Sequence, residues 1–333
     1  MAQLPHQRRD ASIEDFNMTA AERAPILEAI AISKSYGARL ALDDLSVAVR
    51  PGEVAGLLGP NGAGKTTTLS ILSTLMRPDR GRVLIAGKAP ASDPRGLGRM
   101  LGLVPQSLAL YPSLSAAQNL WHFARMQGLS RVEARAGCES VLDEVGLVER
   151  ASDPMHSFSG GMKRRLNLAC GIVHRPAVLM LDEPTVGVDL QSREKILSLV
   201  RRLADAGAAV IYSTHYMEEA ERICDRVMLI DRGKLIADGS VEQLVALGGG
   251  HPRLELTYRG EFADGWNHNI AGVREITHSE GRLALELTAL AQVPEVLAQL
   301  RAANVNVVDF SVHSPNLADA FVALTGHSLR DNV

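Results

Sequence analysis

The stretch Gly59-Pro60-Asn61-Gly62-Ala63-Gly64-Lys65-Thr66-Thr67 constrains this chain more than any other. It fits the spacing G-x-x-x-x-G-K-[ST], and its flanks fit too. Glu53 to Leu58 reads as a short buried strand, and Thr67 to Leu72 as the helix that follows. In a strand, glycine-rich turn and helix N-terminus, backbone N–H groups can close on phosphate oxygens. The positive end of the helix dipole points the same way. Lys65 is expected to reach the β- and γ-phosphates of a nucleotide, and the Thr66 hydroxyl to ligate Mg²⁺.

Strand and helix signals alternate around this loop, which argues an α/β fold. Residues 1–25 are polar and irregular and read as a loose N-terminal arm. Ile26 to Ile32, Leu45 to Val49, Arg82 to Gly87 and Leu101 to Gln106 read as strands. From about 107 to 175 the character changes. Ser115-Ala116-Ala117-Gln118 and Ser130-Arg131-Val132-Glu133 are capping boxes, each opening a helix that stops at a glycine, Gly128 or Gly146. Two helices with no strand between them indicate a helical insertion in the α/β core. Ala177 to Leu181 is a continuous apolar run of parallel-sheet type. A helix over Gln191–Ala206, a strand over Ala208–Tyr212, a helix over Met217–Cys224 and a hairpin around Asp231-Arg232-Gly233 follow, then a short helix from Val241 to Leu247.

Gly248 to Pro252 reads as a linker, with residues 253–333 as a small α+β domain beyond it. Its legible elements are a strand with Leu283, Leu285 and Leu287 on one face, a helix with Val293, Val296, Leu297 and Leu300, a strand with Val308, Phe310 and Val312, and a last helix from Leu317 to Leu324 stopped by Gly326. Nothing there groups as a catalytic cluster.

Asp182-Glu183 directly follows the apolar strand. An acid at that strand end can hold Mg²⁺, and a carboxylate one residue on can orient water and accept its proton. Ser157-Phe158-Ser159-Gly160-Gly161-Met162 opens another helix whose N-terminus suits an anion. One nucleotide needs one such cradle in its own chain, so the second is expected to serve the nucleotide of another subunit. The cations Lys163, Arg164 and Arg165 beside it read as local electrostatics or a solvated helix face.

In this order the motifs resemble the ATP-binding subunit of ABC (ATP-binding cassette) transporters, over about residues 26–247. The resemblance implies a P-loop NTPase (RecA-like) core with an antiparallel β subdomain and a helical subdomain at 107–175, plus the C-terminal α+β domain. Tyr36, by itself a packing or turn residue, then matches the aromatic that stacks on adenine. Gly59, Pro60, Asn61, Gly62, Ala63, Gly64, Lys65, Thr66 and Thr67 form Walker A. Gln106 matches the Q-loop glutamine, at the metal and the nucleotide. Ser159, Gly160 and Gly161 match the signature, with Phe158 where leucine is commoner. Asp182 is the Walker B metal ligand and Glu183 the catalytic carboxylate. Gly187-Val188-Asp189 is the D-loop, with valine in place of leucine. His215 matches the switch histidine that senses the γ-phosphate. Phe158 to Met162, Tyr212 to Ala220 and the C-terminal extension are similar to type-2 exporters, which move drugs, antibiotics, polysaccharides or lipids and whose ATPase and permease are separate chains.

The implied cofactors are ATP and Mg²⁺. The implied partners are a separately encoded membrane permease and a second cassette, as a homodimer or a heterodimer. The net charge of −3 gives no electrostatic footprint for nucleic acid. The sequence has no apolar run of the ~20 residues that span a bilayer and no signal-peptide core at its start. The expected place is the cytoplasm, peripheral on the inner face of the cell membrane through the permease. Alternatives are a soluble ABC ATPase with a non-transport role and an ATPase regulated by a ligand of the C-terminal domain. Cys138, Cys170 and Cys224 are far apart, without metal-ligand spacing, and read as buried thiols.

Overall fold

The computed structural model describes residues 23–260, 272–279 and 281–327. Most of the expected arm, residues 1–22, lies outside them. The chain divides into two compact units at 238/239.

The first unit carries two sheets. Three strands, β1 (Leu27–Tyr36), β2 (Arg39–Val49) and β4 (Arg80–Ile85), form an antiparallel sheet in the order β2-β1-β4. The second sheet has the order β5-β6-β7-β3-β8-β9. Its strands are β3 (Val54–Leu58), β5 (Leu101–Val104), β6 (Val178–Asp182), β7 (Ala209–Thr214), β8 (Arg226–Asp231) and β9 (Lys234–Gly239). β5, β6, β7, β3 and β8 run parallel. Every residue of β3, β6 and β7 is buried, as expected of parallel strands covered on both faces.

Strand alternation sorts these side chains between two cores. Ala55, Leu57, Met180, Ile211 and Met228 face α1 (Lys65–Leu72) and the antiparallel sheet. Val54, Leu179, Leu181, Val210 and Tyr212 face the helices. Those helices are α3 (Ala116–Met126), α4 (Arg131–Glu144), α5 (Gly160–Ile172) and α6 (Leu190–Asp205), together with the short α7 (Met217–Ile223). Both expected capping boxes form, with Ser115 accepting from Gln118 N and Ser130 from Glu133 N, each at 3.2 Å. Only helices and 3₁₀ turns occupy 107–175, as the insertion requires. The short α2 (Pro94–Arg99) was not expected, although Asp93 at its cap and Pro94 in its first turn are a helix-start signal.

Arg226 helps to tie the two sheets. Arg226 donates to Glu53 Oε1 at 2.6 Å and to Asp238 at 2.7 Å, and its other nitrogen reaches the Ala48 carbonyl of β2.

The second unit contains α8 (Val241–Leu247), β10 (Arg253–Arg259), β11 (Val273–Ser279), β12 (Arg282–Leu287), α9 (Val293–Ala302), β13 (Asn306–His313) and α10 (Leu317–Thr325). Its antiparallel sheet has the order β11-β12-β10-β13. Leu254, Leu256, Tyr258, Leu283, Leu285 and Leu287 bury one face against Val296 and Leu300 of α9. The division falls ahead of the expected linker at 248–252 because α8 packs on α10, with Leu244, Leu317 and Phe321 fully buried.

Candidate nucleotide site

β3 ends at Leu58, and the loop 59–64 delivers the chain into α1. Gly64 caps that helix at φ 111°, a left-handed geometry that favours glycine. A Cβ there would stand 2.7 Å from Leu42 Cδ2 and 2.9 Å from the Ala41 carbonyl oxygen. No acidic side chain occupies the first turn of α1, so its positive end is left for an external anion. The Lys65 ammonium lies back along the loop, donating to the carbonyls of Gly59 at 2.8 Å and Pro60 at 3.2 Å.

Two carboxylates meet this loop from the end of β6. Asp182 Oδ2 accepts from Thr66 Oγ1 at 2.9 Å, and its Oδ1 accepts from Ser213 Oγ of β7 at 2.7 Å. Glu183 has a left-handed backbone, φ 46°, and its N–H donates to the Ser213 carbonyl at 3.2 Å and the Ser213 hydroxyl at 3.1 Å. That turn sends its side chain back to the loop. Glu183 Oε1 lies 3.2 Å from Lys65 Nζ and 3.1 Å from His215 Nδ1, while Oε2 accepts from Gln106 Nε2 at 2.9 Å. Lys65, Gln106, Thr66, Asp182, Glu183 and His215, scattered over 150 residues of sequence, thus share one site. A carboxylate this buried needs such partners, because burial without them costs several kcal/mol, roughly, per charge.

Tyr36, Asn61, Gly62, Gly64, Lys65, Thr66, Thr67, Gln106 and Glu183 line a cleft of about 400 Å³. Tyr36 stands at its mouth, half exposed, with its hydroxyl on Met76 Sδ at 3.1 Å. Ala63 is buried beneath the loop. The cleft also contains Arg39, which sequence reasoning missed. Its guanidinium lies over the loop, 3.3 Å from where a Cβ of Gly62 would stand. A lone arginine at a strand start carries no motif, so only the folded chain reveals it. Ser213 lies within the stretch Tyr212 to Ala220, but its bond to Asp182 exists only because β7 pairs with β6.

Ser159, Gly160, Gly161 and Asp189 do not line this cleft. Ser159 Oγ caps α5 by accepting from Met162 N at 3.2 Å. Asp189 caps α6 through Ser192 N at 2.8 Å and Ser192 Oγ at 2.9 Å. A Cβ on Gly161 would sit 2.2 Å from Ser192 Oγ, so α5 and α6 meet there without a side chain between them. Two of the three neighbouring cations are ties rather than a solvated face. Arg164 donates to the carbonyls of Gln106 and Val186, and Arg165, 9% exposed, to those of Val145 and Gly146.

Among the described residues no cluster of three His, Cys, Asp or Glu could hold a metal ion alone. The Thr66 hydroxyl and Asp182 carboxylate are nonetheless hard oxygen donors side by side, the small protein share that suits Mg²⁺ completed by phosphate and water. No helix among the described residues is long and apolar enough to cross a membrane.

A P-loop on a parallel sheet, with two acids facing its lysine and threonine and a helical subdomain inserted beside it, defines an ATP-binding cassette. Residues 42–186 match the family described as ABC transporter. The chain is 41% identical to the linearmycin resistance ATP-binding protein LnrL of Bacillus subtilis, over 92% of this chain and 100% of that protein. It is 39% identical to the Nod factor export ATP-binding protein I of Burkholderia thailandensis, over 90% and 97%. A solved dimeric ATP-binding cassette in a post-hydrolysis state, bound to ADP and Pi, superimposes with a TM-score of 0.59 at 25% identity, over 64% of this chain and 98% of that one. The chain belongs to the ABC transporter family, as an ATP-hydrolysing, ATP-binding subunit.

Proposed function

We propose that two cassettes bind two ATP molecules head to tail and that hydrolysis powers export through a separate membrane permease. The observation that carries this reading is the split of the phosphate-binding groups. Lys65, Thr66, Asp182 and Glu183 converge on one cleft, whereas Ser159-Gly160-Gly161, a second helix start fit for an anion, stays outside it. A second chain can bring its Ser159 helix to this chain's nucleotide.

In this reading Tyr36 stacks on adenine, Arg39 reaches the phosphates or ribose, and the backbone from Gly59 to Thr67 cradles the phosphates with Lys65. Thr66 and Asp182, with Gln106 alongside, would hold Mg²⁺, which when bound neutralises charge on the β- and γ-phosphates. Glu183 orients water and takes its proton. His215 holds the γ-phosphate and registers its loss. Asp189 stands where α5 and α6 meet, at the edge presented to the second chain. Closure follows from the higher affinity of ATP for the closed dimer, and hydrolysis removes that difference. Gln106, at the root of the helical subdomain, passes the change to a cleft that receives the permease. The chain then works on the cytoplasmic face of the membrane. Two relatives named for linearmycin resistance and Nod factor export support the export reading, in which cargo choice belongs to the permease.

The test is hydrolysis measured against protein concentration, with sedimentation of the same samples. Activity should rise faster than linearly as dimers form. Full-rate hydrolysis by a strictly monomeric chain would overturn the head-to-tail reading, and failure to co-purify with any membrane protein would overturn the transport reading.

A further inference from the structure

Behind His215 lies a buried polar cluster to which the motifs assign no role. Its centre is Glu219 of α7, whose side chain is 3% exposed. One oxygen, Oε2, accepts three hydroxyls: Tyr212 at 2.8 Å, Thr185 at 2.9 Å and Thr214 at 3.2 Å. The other, Oε1, faces Arg193 Nε of α6 at 3.4 Å. These donors come from three places that flank the chemistry. Thr185 lies two residues after Glu183, Tyr212 and Thr214 belong to β7, and Arg193 lies one turn past the Asp189 cap.

The cluster reaches the histidine turn directly. Thr214 Oγ1 donates to Glu219 and accepts the Tyr216 N–H at 2.9 Å, so it clamps the backbone on both sides of His215. The Arg193 guanidinium lies 5.3 Å from the Tyr216 ring centroid, and the Tyr216 ring is 4.1 Å from that of His215. Burial first, and then the Glu219 charge, push the Tyr212 phenol well up, which keeps it a donor. A buried carboxylate with three hydroxyl donors and a cation is held rigidly, since each lost partner leaves charge uncompensated in a low-dielectric site.

We propose that Glu219 is a positioning residue, which fixes the His215 turn against Thr185 and α6 so that His215 meets the γ-phosphate. It touches neither nucleotide nor water and acts through His215. The proposal rests on the role given to His215 above.

The test is a double-mutant cycle on the full-length chain, with Glu219→Gln, His215→Ala and both together. Steady-state kcat and KM for MgATP, nucleotide affinity and thermal midpoint are read for each. Glu219→Gln puts an amide where Arg193 needs an acceptor or where three hydroxyls need one. It should lower kcat about tenfold to a hundredfold, the scale of a catalytic group displaced by about an ångström. KM should stay within about twofold, because the P-loop contacts are untouched. In the His215→Ala background the same change should lower kcat no further, while the loss in thermal midpoint persists. If the two losses in kcat multiply, or if Glu219→Gln leaves kcat unchanged, the positioning role is wrong. If Glu219→Gln does not fold, Tyr212→Phe removes a single donor and decides the matter by the same cycle. A His215→Ala chain with wild-type turnover would overturn the functional reading of His215, and this proposal with it.

Discussion

Lys65 and Glu183 face each other across 3.2 Å, and each has 6% of its side chain exposed. The cation proposed to hold phosphate and the carboxylate proposed to activate water are therefore each other's partners. In the proposed complex, phosphate competes with Glu183 for Lys65. Glu183→Gln removes the competitor and the base together. The variant should bind MgATP at least as tightly as wild type, persist as a dimer with ATP, and lose about 10² to 10⁴ in kcat, the usual share of a general base. Its thermal midpoint without nucleotide should fall and be recovered by ATP. Near-normal hydrolysis would remove Glu183 from the chemistry.

Ser159→Arg places a long cation at the start of α5, outside the chain's own cleft. Turnover should be lost while ATP binding to the single chain, followed by a fluorescent nucleotide at low protein concentration, stays intact. Loss of binding itself would mean that the Ser159 segment serves its own nucleotide.

Arg39 lies over the loop in the same cleft, within the proposed reach of phosphate or ribose oxygens. Arg39→Ala should raise KM for ATP roughly threefold to tenfold, the worth of one charge-assisted contact of about 1 kcal/mol, with kcat nearly unchanged. A fall in kcat at constant KM would show a different role.

The tie between the two sheets should be felt as stability. Arg226→Ala leaves Glu53, 4% exposed, with only the more distant Arg50 guanidinium at 4.0 Å, and leaves the Ala48 carbonyl without that donor. Breaking a buried pair in this way costs about 3 kcal/mol, and the thermal midpoint should fall by about 6–12 °C. A change within a degree or two would show that the Arg226 contacts add little to stability.

The thiols should be inert. Cys138 and Cys170 are buried as expected, whereas Cys224 is only partly buried at its surface; burial pushes Cys138 up to about 11 and pushes Cys170 and Cys224 further up. At pH 8 a maleimide should label the native protein slowly and the unfolded protein at all three positions. Rapid native labelling of any one would contradict the packing.

The cassette was legible because its chemistry is written in contiguous motifs. Gly59 to Thr67, Asp182-Glu183 and the two capping boxes are short-range patterns whose local geometry follows from the residues themselves. What was not legible is what only the sheet order creates. β7 lies between β3 and β6, so Ser213 bonds Asp182 although 31 residues of sequence separate them. Arg39 and the Glu219 cluster are of the same kind. β10 was overlooked although Leu254, Leu256 and Tyr258 alternate, because the run is short and follows a glycine-rich stretch. β11, with Arg274, Glu275 and His278 in its seven residues, has too little apolar pattern to announce itself.

The left-handed backbone at Glu183 has a cost and a purpose. Adjacent side chains on a strand leave from opposite sides, so a straight β6 could offer the loop Asp182 or Glu183 but not both. The kink breaks that alternation, at roughly 1–3 kcal/mol for a residue with a Cβ. Glycine would suit the same bend without that penalty and would lack a carboxylate. Selection for folding and selection for turnover therefore pull this position in opposite directions, and a chain relieved of its catalytic duty should drift there first toward the smaller residue.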